Sequence, residues 1–318
     1  MDEVFLTETH LSSLQRMTKS EILVTSTEKA GKKFRFSSFQ KLTIDEKPII
    51  LFINYENAVL YCGGLICMLK KWNVVIPKLS GEKPRKAYIY LPVGYEKNPD
   101  KRYPVMYMFD GHNVFVDEDA TFGKSWGMKK YMDESKKELI IVAVECNHEG
   151  NRRLVEYSPL KYNNSEHGKI NGKGSILLNW MVNTLKPYVD SNYRTLPDRK
   201  NTIIAGSSMG GLMALYAVTV FNHVFQRAAC LSPSLWVSPG KVLEMVARAH
   251  IRRDTTVYMD YGELEMFNHA ACQESMISTS HLLLTKRVNL AFRIVPGGNH
   301  SEASWEKQIP IFMDCLGL

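Results

Sequence analysis

The chain has 318 residues, enough for one large α/β domain with a small extension, and 45% of them are hydrophobic and 23% charged, as in soluble globular proteins. The formal net charge is +7, but the basic residues are scattered, which argues against a nucleic-acid partner and leaves only a mild attraction for anionic substrates. The six cysteines show no paired metal-ligand spacing, so we expect reduced thiols and no metal site: Cys62, Cys67, Cys146, Cys230, Cys272 and Cys315.

Residues 1–70 are predicted to form a small β-rich extension. Within it, Ile49–Ile53 and Ala58–Cys62 have the composition of two strands around a polar turn, which is typical of a hairpin. The apolar stretch Ile49–Leu69 is also long enough to suggest a membrane span. Asn54 and Glu56 near its middle argue against that, because an acidic group at the centre of a bilayer costs about 2.5–3.5 kcal/mol.

The start of the chain also bears on localisation and partners. Met1-Asp-Glu is acidic and no long apolar region follows closely, so we expect no signal peptide, no membrane partner and a cytoplasmic location. The stretch Ile49–Leu69 is too hydrophobic to remain in water. We therefore expect it to pack on the rest of the chain or on a second copy, giving a homo-oligomer.

From residue 71 onward, strand-like apolar runs alternate with helical segments. This alternation predicts a mainly parallel, doubly wound sheet over residues 71–318. The predicted strands are Asn73–Leu79, Lys86–Leu91, Pro104–Phe109, Leu139–Val144, Thr202–Ala205, Ala228–Leu231, Thr255–Tyr261 and Asn289–Val295, with helices over Gly174–Val189 and Leu212–Phe221.

A G-x-S-x-G motif centred on Ser208 joins a predicted strand to a predicted helix. A serine at the tip of such a sharp turn needs backbone angles that crowd its neighbours, and Gly206 and Gly210 remove the Cβ atoms that would clash. The turn also directs the Met209 N–H and the start of the helix toward a reacting carbonyl, where negative charge develops.

A serine hydroxyl needs a base to take its proton and an acid to orient that base. After Ser208 the chain offers Glu265 beyond one predicted strand and His300 beyond the next, which is the order of nucleophile, acid and histidine in α/β-hydrolases. His300 is the favoured base among nine histidines. Glu265 is the favoured acid, and Glu263 and Asp260 remain alternatives.

Several segments together resemble the putative-esterase family of α/β-hydrolases, which includes feruloyl and acetyl carbohydrate esterases, siderophore esterases and mycolyltransferases. The resemblance implies an α/β-hydrolase fold, Ser208 as nucleophile, His300 as base, an acid near Glu265, and an oxyanion N–H from Gly111 or His112. It runs from Trp72 to Leu316 and is carried by Arg102–Gly111, Glu156–Pro159, Tyr193–Thr195, Ala205–Gly211, Ser232–Trp236, Gly298–His300 and Trp305.

Other side chains follow predicted strand ends and are candidates for substrate contact. Trp126, Trp236 and Asn113 are expected to line the pocket, with buried packing an equal alternative for each tryptophan. Arg152 and Arg153 are interpreted as solvated, with contact to an anionic substrate as the alternative.

We expect a serine carboxylic-ester hydrolase that forms an acyl-enzyme and needs neither metal nor organic cofactor. Its substrate would be a small molecule: an acylated sugar, an aromatic-acid ester of the feruloyl type or a siderophore ester. Two alternatives remain open. One is an acyltransferase, which the resemblance to mycolyltransferases supplies, and the other is a non-catalytic binding module on a hydrolase scaffold.

Overall fold

The computed structural model describes residues 42–44, 47–54, 57–62, 68–164, 166, 168–265 and 269–318. The chain divides into two compact units, Met1–Ile66 and Cys67–Leu318, so the division falls slightly before the predicted boundary at residue 70. Residues 1–41 of the predicted extension lie outside the described residues.

The first unit contains a three-stranded antiparallel sheet in the order β1-β2-β3. Strand β1 is Leu42–Ile44, β2 is Lys47–Asn54 and β3 is Asn57–Cys62. Strands β2 and β3 pair from Ile49 opposite Cys62 to Asn54 opposite Asn57, which is the hairpin predicted from the sequence.

The second unit is built on an eight-stranded sheet in the order β13-β12-β11-β10-β6-β7-β5-β4. Neighbours from β13 to β7 are parallel, whereas β5 runs antiparallel to both β7 and β4. A separate hairpin consists of Lys161–Asn164 (β8) and Gly168–Asn171 (β9). The strands of the large sheet are Met68–Val74 (β4), Arg85–Leu91 (β5), Val105–Met108 (β6), Ile140–Val144 (β7), Thr202–Ser207 (β10), Arg227–Leu231 (β11), Thr256–Gly262 (β12) and Asn289–Val295 (β13).

Helices connect the parallel strands of this sheet, as the alternating pattern predicts. None of the helices in the described part of the chain is long and apolar enough to cross a bilayer. The helices are Pro77–Ser80 (α1), Met128–Ser135 (α2), Arg152–Glu156 (α3), Gly174–Trp180 (α4), Lys186–Asn192 (α5), Met209–Val220 (α6), Pro239–Arg248 (α7), His269–Thr285 (α8), Glu302–Glu306 (α9) and Ile309–Cys315 (α10), with a π-helical turn, Met181–Leu185, joining α4 to α5.

The predicted strand Asn73–Leu79 is wrong over most of its length. The edge strand β4 ends at Val74, and Pro77 begins the short helix α1. Proline suits the first turn of a helix, because its fixed φ is already helical and the missing N–H would have had no partner there.

The central strands are covered on both faces, which explains their uninterrupted apolar sequences. In β6, Val105 and Tyr107 belong to one buried cluster, and Met106 and Met108 belong to the cluster on the opposite face. All four side chains are at most 2% exposed. The sheet is therefore a rigid layer, and its carboxyl edge holds the loops that follow the parallel strands.

Candidate active site

Ser208 lies at the tip of the turn between β10 and α6. Its backbone angles are φ 58° and ψ −124°, a region that costs a residue with a Cβ atom about 1–3 kcal/mol. The two motif glycines make this turn sterically feasible: a Cβ on Gly206 would lie 2.6 Å from the Gly210 carbonyl carbon, and one on Gly210 would lie 3.0 Å from the Phe109 Cβ. The same close approach brings the start of α6 against the loop that follows β6.

The loop after β11 is bonded to the Ser208 turn. The Ser208 N–H donates to the Leu231 carbonyl at 2.9 Å, and the Ser234 N–H donates to the Ser208 carbonyl at 3.0 Å. The Ser208 Oγ lies 3.5 Å from the Oγ of Ser234, which is buried. The Ser208 hydroxyl thus lies at the end of β10 with a second hydroxyl beside it.

His300 and Glu265 form a pair at the same edge of the sheet. The His300 Nδ1 lies 3.0 Å from the Glu265 Oε2. The other oxygen of Glu265 accepts the Gly262 N–H at 2.8 Å and the Ser232 hydroxyl at 2.5 Å. Ser232 in turn accepts the Trp305 indole N–H at 2.9 Å. Each oxygen of this buried carboxylate therefore has a donor.

The two alternative acids have other partners. The Asp260 carboxylate accepts the Ser232 N–H at 3.0 Å and the Tyr258 hydroxyl at 2.8 Å, and burial raises the pKa of Asp260 to about 7. Glu263 is exposed and accepts the Gly297 N–H at 2.9 Å. Of the three candidates, Glu265 is the one in contact with His300.

The His300 ring is held on a second side by Trp305, which it meets edge-on with ring centroids 5.1 Å apart. No hydrogen bond joins His300 to Ser208 in the described part of the chain. In enzymes without bound substrate such bonds are often long and shorten when substrate binds.

The loop after β6 is held by an ion pair. Asp110 has a left-handed φ of 55°, and its two carboxylate oxygens accept the Arg153 Nε and Nη2 at 2.8 and 2.7 Å. Burial would raise the pKa of Asp110, but the Arg153 guanidinium outweighs it and holds that pKa below its usual range. The Asp110 N–H donates to the Tyr157 hydroxyl at 2.9 Å. Arg153 therefore fixes this loop rather than standing free in solvent.

The three residues after Asp110 form a 3₁₀ turn with limited freedom. A Cβ on Gly111 would lie 2.9 Å from the Tyr88 ring, so only glycine fits there. His112 is buried, and burial lowers its pKa. The Asn113 amide donates to Glu302 at 3.0 Å and accepts the Thr121 N–H at 3.0 Å, so it braces the loop.

The two tryptophans differ in exposure. Trp126 is 3% exposed and lies against Trp305 and Phe312, with ring centroids 6.1 and 6.3 Å away, so the packing alternative describes it. Trp236, in the loop after β11, is 37% exposed and stays a candidate for substrate contact.

Comparison with known proteins identifies the family. The family described as "Putative esterase" matches residues 80–312, which include Ser208, Glu265 and His300. This chain belongs to that esterase family. It is accordingly a carboxylic ester hydrolase.

Three solved structures share the fold of this esterase. An IroE-like serine hydrolase from Shewanella oneidensis is 19% identical with a TM-score of 0.61, over 79% of each chain. The siderophore hydrolase EstA from Aspergillus nidulans is 17% identical with a TM-score of 0.60, over 77% of this chain and 94% of its own. A ferulic acid esterase is 19% identical with a TM-score of 0.58, over 80% of this chain and all of its own.

Sequence reasoning about this esterase missed residues that hold the site together. Ser232 and Ser234 lie in the Ser232–Trp236 segment, which the family resemblance singled out without assigning it a role. The positive φ of 44° at Ser232 gave no signal in the sequence, because serine rarely adopts it. Arg153 reaches Asp110 from α3, where the sequence predicted a loop, and only the tertiary structure reveals this contact.

Proposed function

We propose that this esterase works through an acyl-enzyme on Ser208, with His300 as general base and Glu265 as the residue that orients it. The observation that carries the proposal is the 3.0 Å contact between the His300 Nδ1 and the buried Glu265 carboxylate, at the sheet edge that also holds the strained Ser208 turn. This pairing commits the Nδ1 proton to the carboxylate and leaves the Nε2 lone pair to accept a proton.

The first half-reaction transfers the acyl group to the enzyme. The Ser208 Oγ attacks the ester carbonyl carbon while its proton moves to the His300 Nε2. The tetrahedral intermediate collapses, the bond to the alcohol oxygen breaks, and the alcohol leaves with the proton from His300. Water then repeats the sequence on the acyl-enzyme and releases the acid.

The developing oxyanion needs N–H donors fixed in advance. We assign one to Met209, the first residue of α6, and the other to Gly111 or His112 in the turn after β6. Two features support this assignment: Gly210 packs against Phe109, and the ion pair between Asp110 and Arg153 keeps the turn in place.

The substrate in this proposal is a small-molecule ester of the acylated-sugar, aromatic-acid or siderophore class. Two solved structures with this fold, a ferulic acid esterase and a siderophore hydrolase, support the last two classes. The exposed ring of Trp236 in the loop after β11 offers an apolar surface for an aromatic acyl group.

Labelling with a fluorophosphonate tests the nucleophile directly. We expect a single adduct on Ser208 in the mass spectrum, and no adduct in the Ser208→Ala variant. Ser232 and Ser234 lie close by and serve as internal controls, so an adduct on either would refute the assignment. Product analysis with feruloyl, acetyl-sugar and catecholate-lactone esters, with and without an added alcohol, then separates hydrolysis from acyl transfer.

A further inference from the structure

Three side chains of metal-ligand type meet beside the proposed oxyanion turn. His112 lies in the turn after β6, and Cys146 and His148 follow the neighbouring parallel strand β7. One nitrogen from each imidazole and the thiol sulfur all lie within 4.8 Å of one another. The Cys146 Sγ is 4.0 Å from the His148 Nδ1, and the two imidazole rings meet edge-on with centroids 4.5 Å apart.

His112 has an unmet hydrogen-bonding requirement in this cluster. The residue is 5% exposed, and its Nδ1 has no partner in the part of the chain that the structure describes. Leaving a buried polar nitrogen unpaired costs about 1–3 kcal/mol, so native proteins seldom retain one without a reason. A ligand that accepts the nitrogen lone pair would remove this cost.

We propose that His112, Cys146 and His148 form a binding site for a transition-metal ion of the Zn²⁺ type. Two imidazoles and one thiolate are a ligand set that such ions prefer over the hard cations Mg²⁺ and Ca²⁺. They supply three positions of a tetrahedron and leave the fourth to water. Zn–N bonds of about 2.0–2.1 Å and Zn–S bonds of about 2.3 Å put the ligand atoms of a tetrahedral site roughly 3.3–3.6 Å apart.

The cluster can reach this spacing by a small contraction. Its ligand atoms lie within 4.8 Å of one another, so no separation exceeds the tetrahedral value by more than roughly 1.5 Å. His148 is exposed, so its side chain can make part of the movement, and the His112 side chain makes the rest.

Binding exchanges a proton for the metal. The Cys146 S–H bond breaks, the sulfur bonds to the ion, and the proton passes to solvent. Burial, with the charge of Asp110 nearby, raises the pKa of the Cys146 thiol, so the metal itself has to displace this proton.

The site has a consequence for catalysis, which rests on the proposed function. Contraction of the cluster pulls on His112, whose backbone belongs to the turn that we assign to the oxyanion. A displacement of about 1 Å in a positioned catalytic group can cost 10²-fold in rate. We expect a bound metal to lower ester hydrolysis by about tenfold or more, and a chelator to restore it.

Metal binding can be measured on the full chain without any substrate. Titration with Zn²⁺ against a chromophoric chelator should give one tight site per chain. Co²⁺ should give a thiolate-to-cobalt charge-transfer band in the near ultraviolet. We expect His148→Gln to weaken Zn²⁺ binding about tenfold or more, and Cys146→Ser to abolish the charge-transfer band. His223→Gln, at an exposed histidine outside the cluster, is the matched control and should bind as the wild type does.

The proposal would be overturned if both His148→Gln and Cys146→Ser still bound one Zn²⁺ per chain as tightly as the wild type. It would also be overturned if the wild type showed no tight Zn²⁺ site. The activity measurement compares each variant with itself, in Zn²⁺ and in chelator. If Zn²⁺ binds at the cluster but the rate of ester hydrolysis does not change, only the proposed effect of the metal on the oxyanion turn is overturned, and the metal site itself stands. Fluorophosphonate labelling in chelator reports on Ser208 separately, so a failure of the proposed function is distinguishable from a failure of the metal site.

Discussion

The contact between Glu265 and His300 joins a side chain that is 1% exposed to one that is 31% exposed. The carboxylate is buried, and in the described part of the chain it accepts the Gly262 N–H and the Ser232 hydroxyl and contacts the His300 ring. The imidazole is anchored at Nδ1 and packed against Trp305, and the rest of its ring is partly exposed to solvent. This asymmetry suits a base that is oriented from inside the protein and meets its substrate from outside.

Ser208→Ala and His300→Ala should each lower kcat for ester hydrolysis by about 10⁴–10⁶. The double variant should be no slower than either single variant, because the hydroxyl and its base act as one unit. Steady-state kinetics on the three variants checks this. A double variant that is slower by a further factor of 10² or more would contradict the pairing.

Glu265→Gln should lower kcat by about 10²–10⁴ with little change in KM. A glutamine amide beside the His300 Nδ1 favours the tautomer that carries its proton on Nε2, which cannot accept the Ser208 proton. Glu263→Gln, at an exposed carboxylate outside the pair, is the control and should stay near wild-type activity. If Glu263→Gln or Asp260→Asn lowers kcat more than Glu265→Gln does, that residue rather than Glu265 orients His300.

Asp260 should make the stability of the enzyme depend on pH. Its folded-state pKa of about 7 lies above the ordinary value of 3.8, so the folded chain binds this proton more tightly than the unfolded chain. The contribution of Asp260 to the free energy of unfolding is complete below about pH 4 and is lost as the pH rises through 7, a change of roughly 4 kcal/mol.

Asp260→Asn carries no titrating group at this position and serves as the reference. Urea denaturation at several pH values gives the free energy of unfolding of wild type and Asp260→Asn. Between pH 4 and 7 the wild type should lose stability relative to Asp260→Asn. A difference that stays constant across this range would contradict the raised pKa.

Arg153→Met should destabilise the fold by about 3 kcal/mol and lower kcat, because it leaves the buried Asp110 carboxylate without its partner. Arg152→Met is the matched control: that side chain is 56% exposed and pairs with the half-exposed Glu149. We expect its stability to stay within about 0.5 kcal/mol of wild type. Equal effects of the two changes on Tm and kcat would show that the ion pair does not hold the turn after β6, to which we assign an oxyanion donor.

Removal of residues 1–66 should lower solubility or change the oligomeric state, because the apolar stretch from Ile49 is too hydrophobic to remain exposed. A shorter deletion of residues 1–41 keeps β1, β2 and β3 and is the control. Light scattering gives the mass of each form. If the longer deletion stays soluble with an unchanged mass and an unchanged preference among esters, the extension is a passive tail.

The amino-acid sequence by itself determined the strand-to-helix turn at Ser208. Glycine spacing, a short apolar run before the serine and a longer one after it are local signals, and the sterics of a sharp turn require them. The same holds for most central strands, because burial on both faces leaves uninterrupted apolar runs such as β6 and β7. The prediction of a strand over Asn73–Leu79 was wrong because Pro77 starts a helix there.

Only the tertiary structure decided which acid meets His300 and what holds the loop after β6. Asp260, Glu263 and Glu265 lie within six positions of each other, and the sequence ranks them weakly. The direction of each side chain depends on the end of β12 and on Ser232, which follows the neighbouring strand β11 and donates to Glu265. The cluster of His112, Cys146 and His148 was missed for the same reason: its members come from loops after adjacent parallel strands, and chain spacing does not record that proximity.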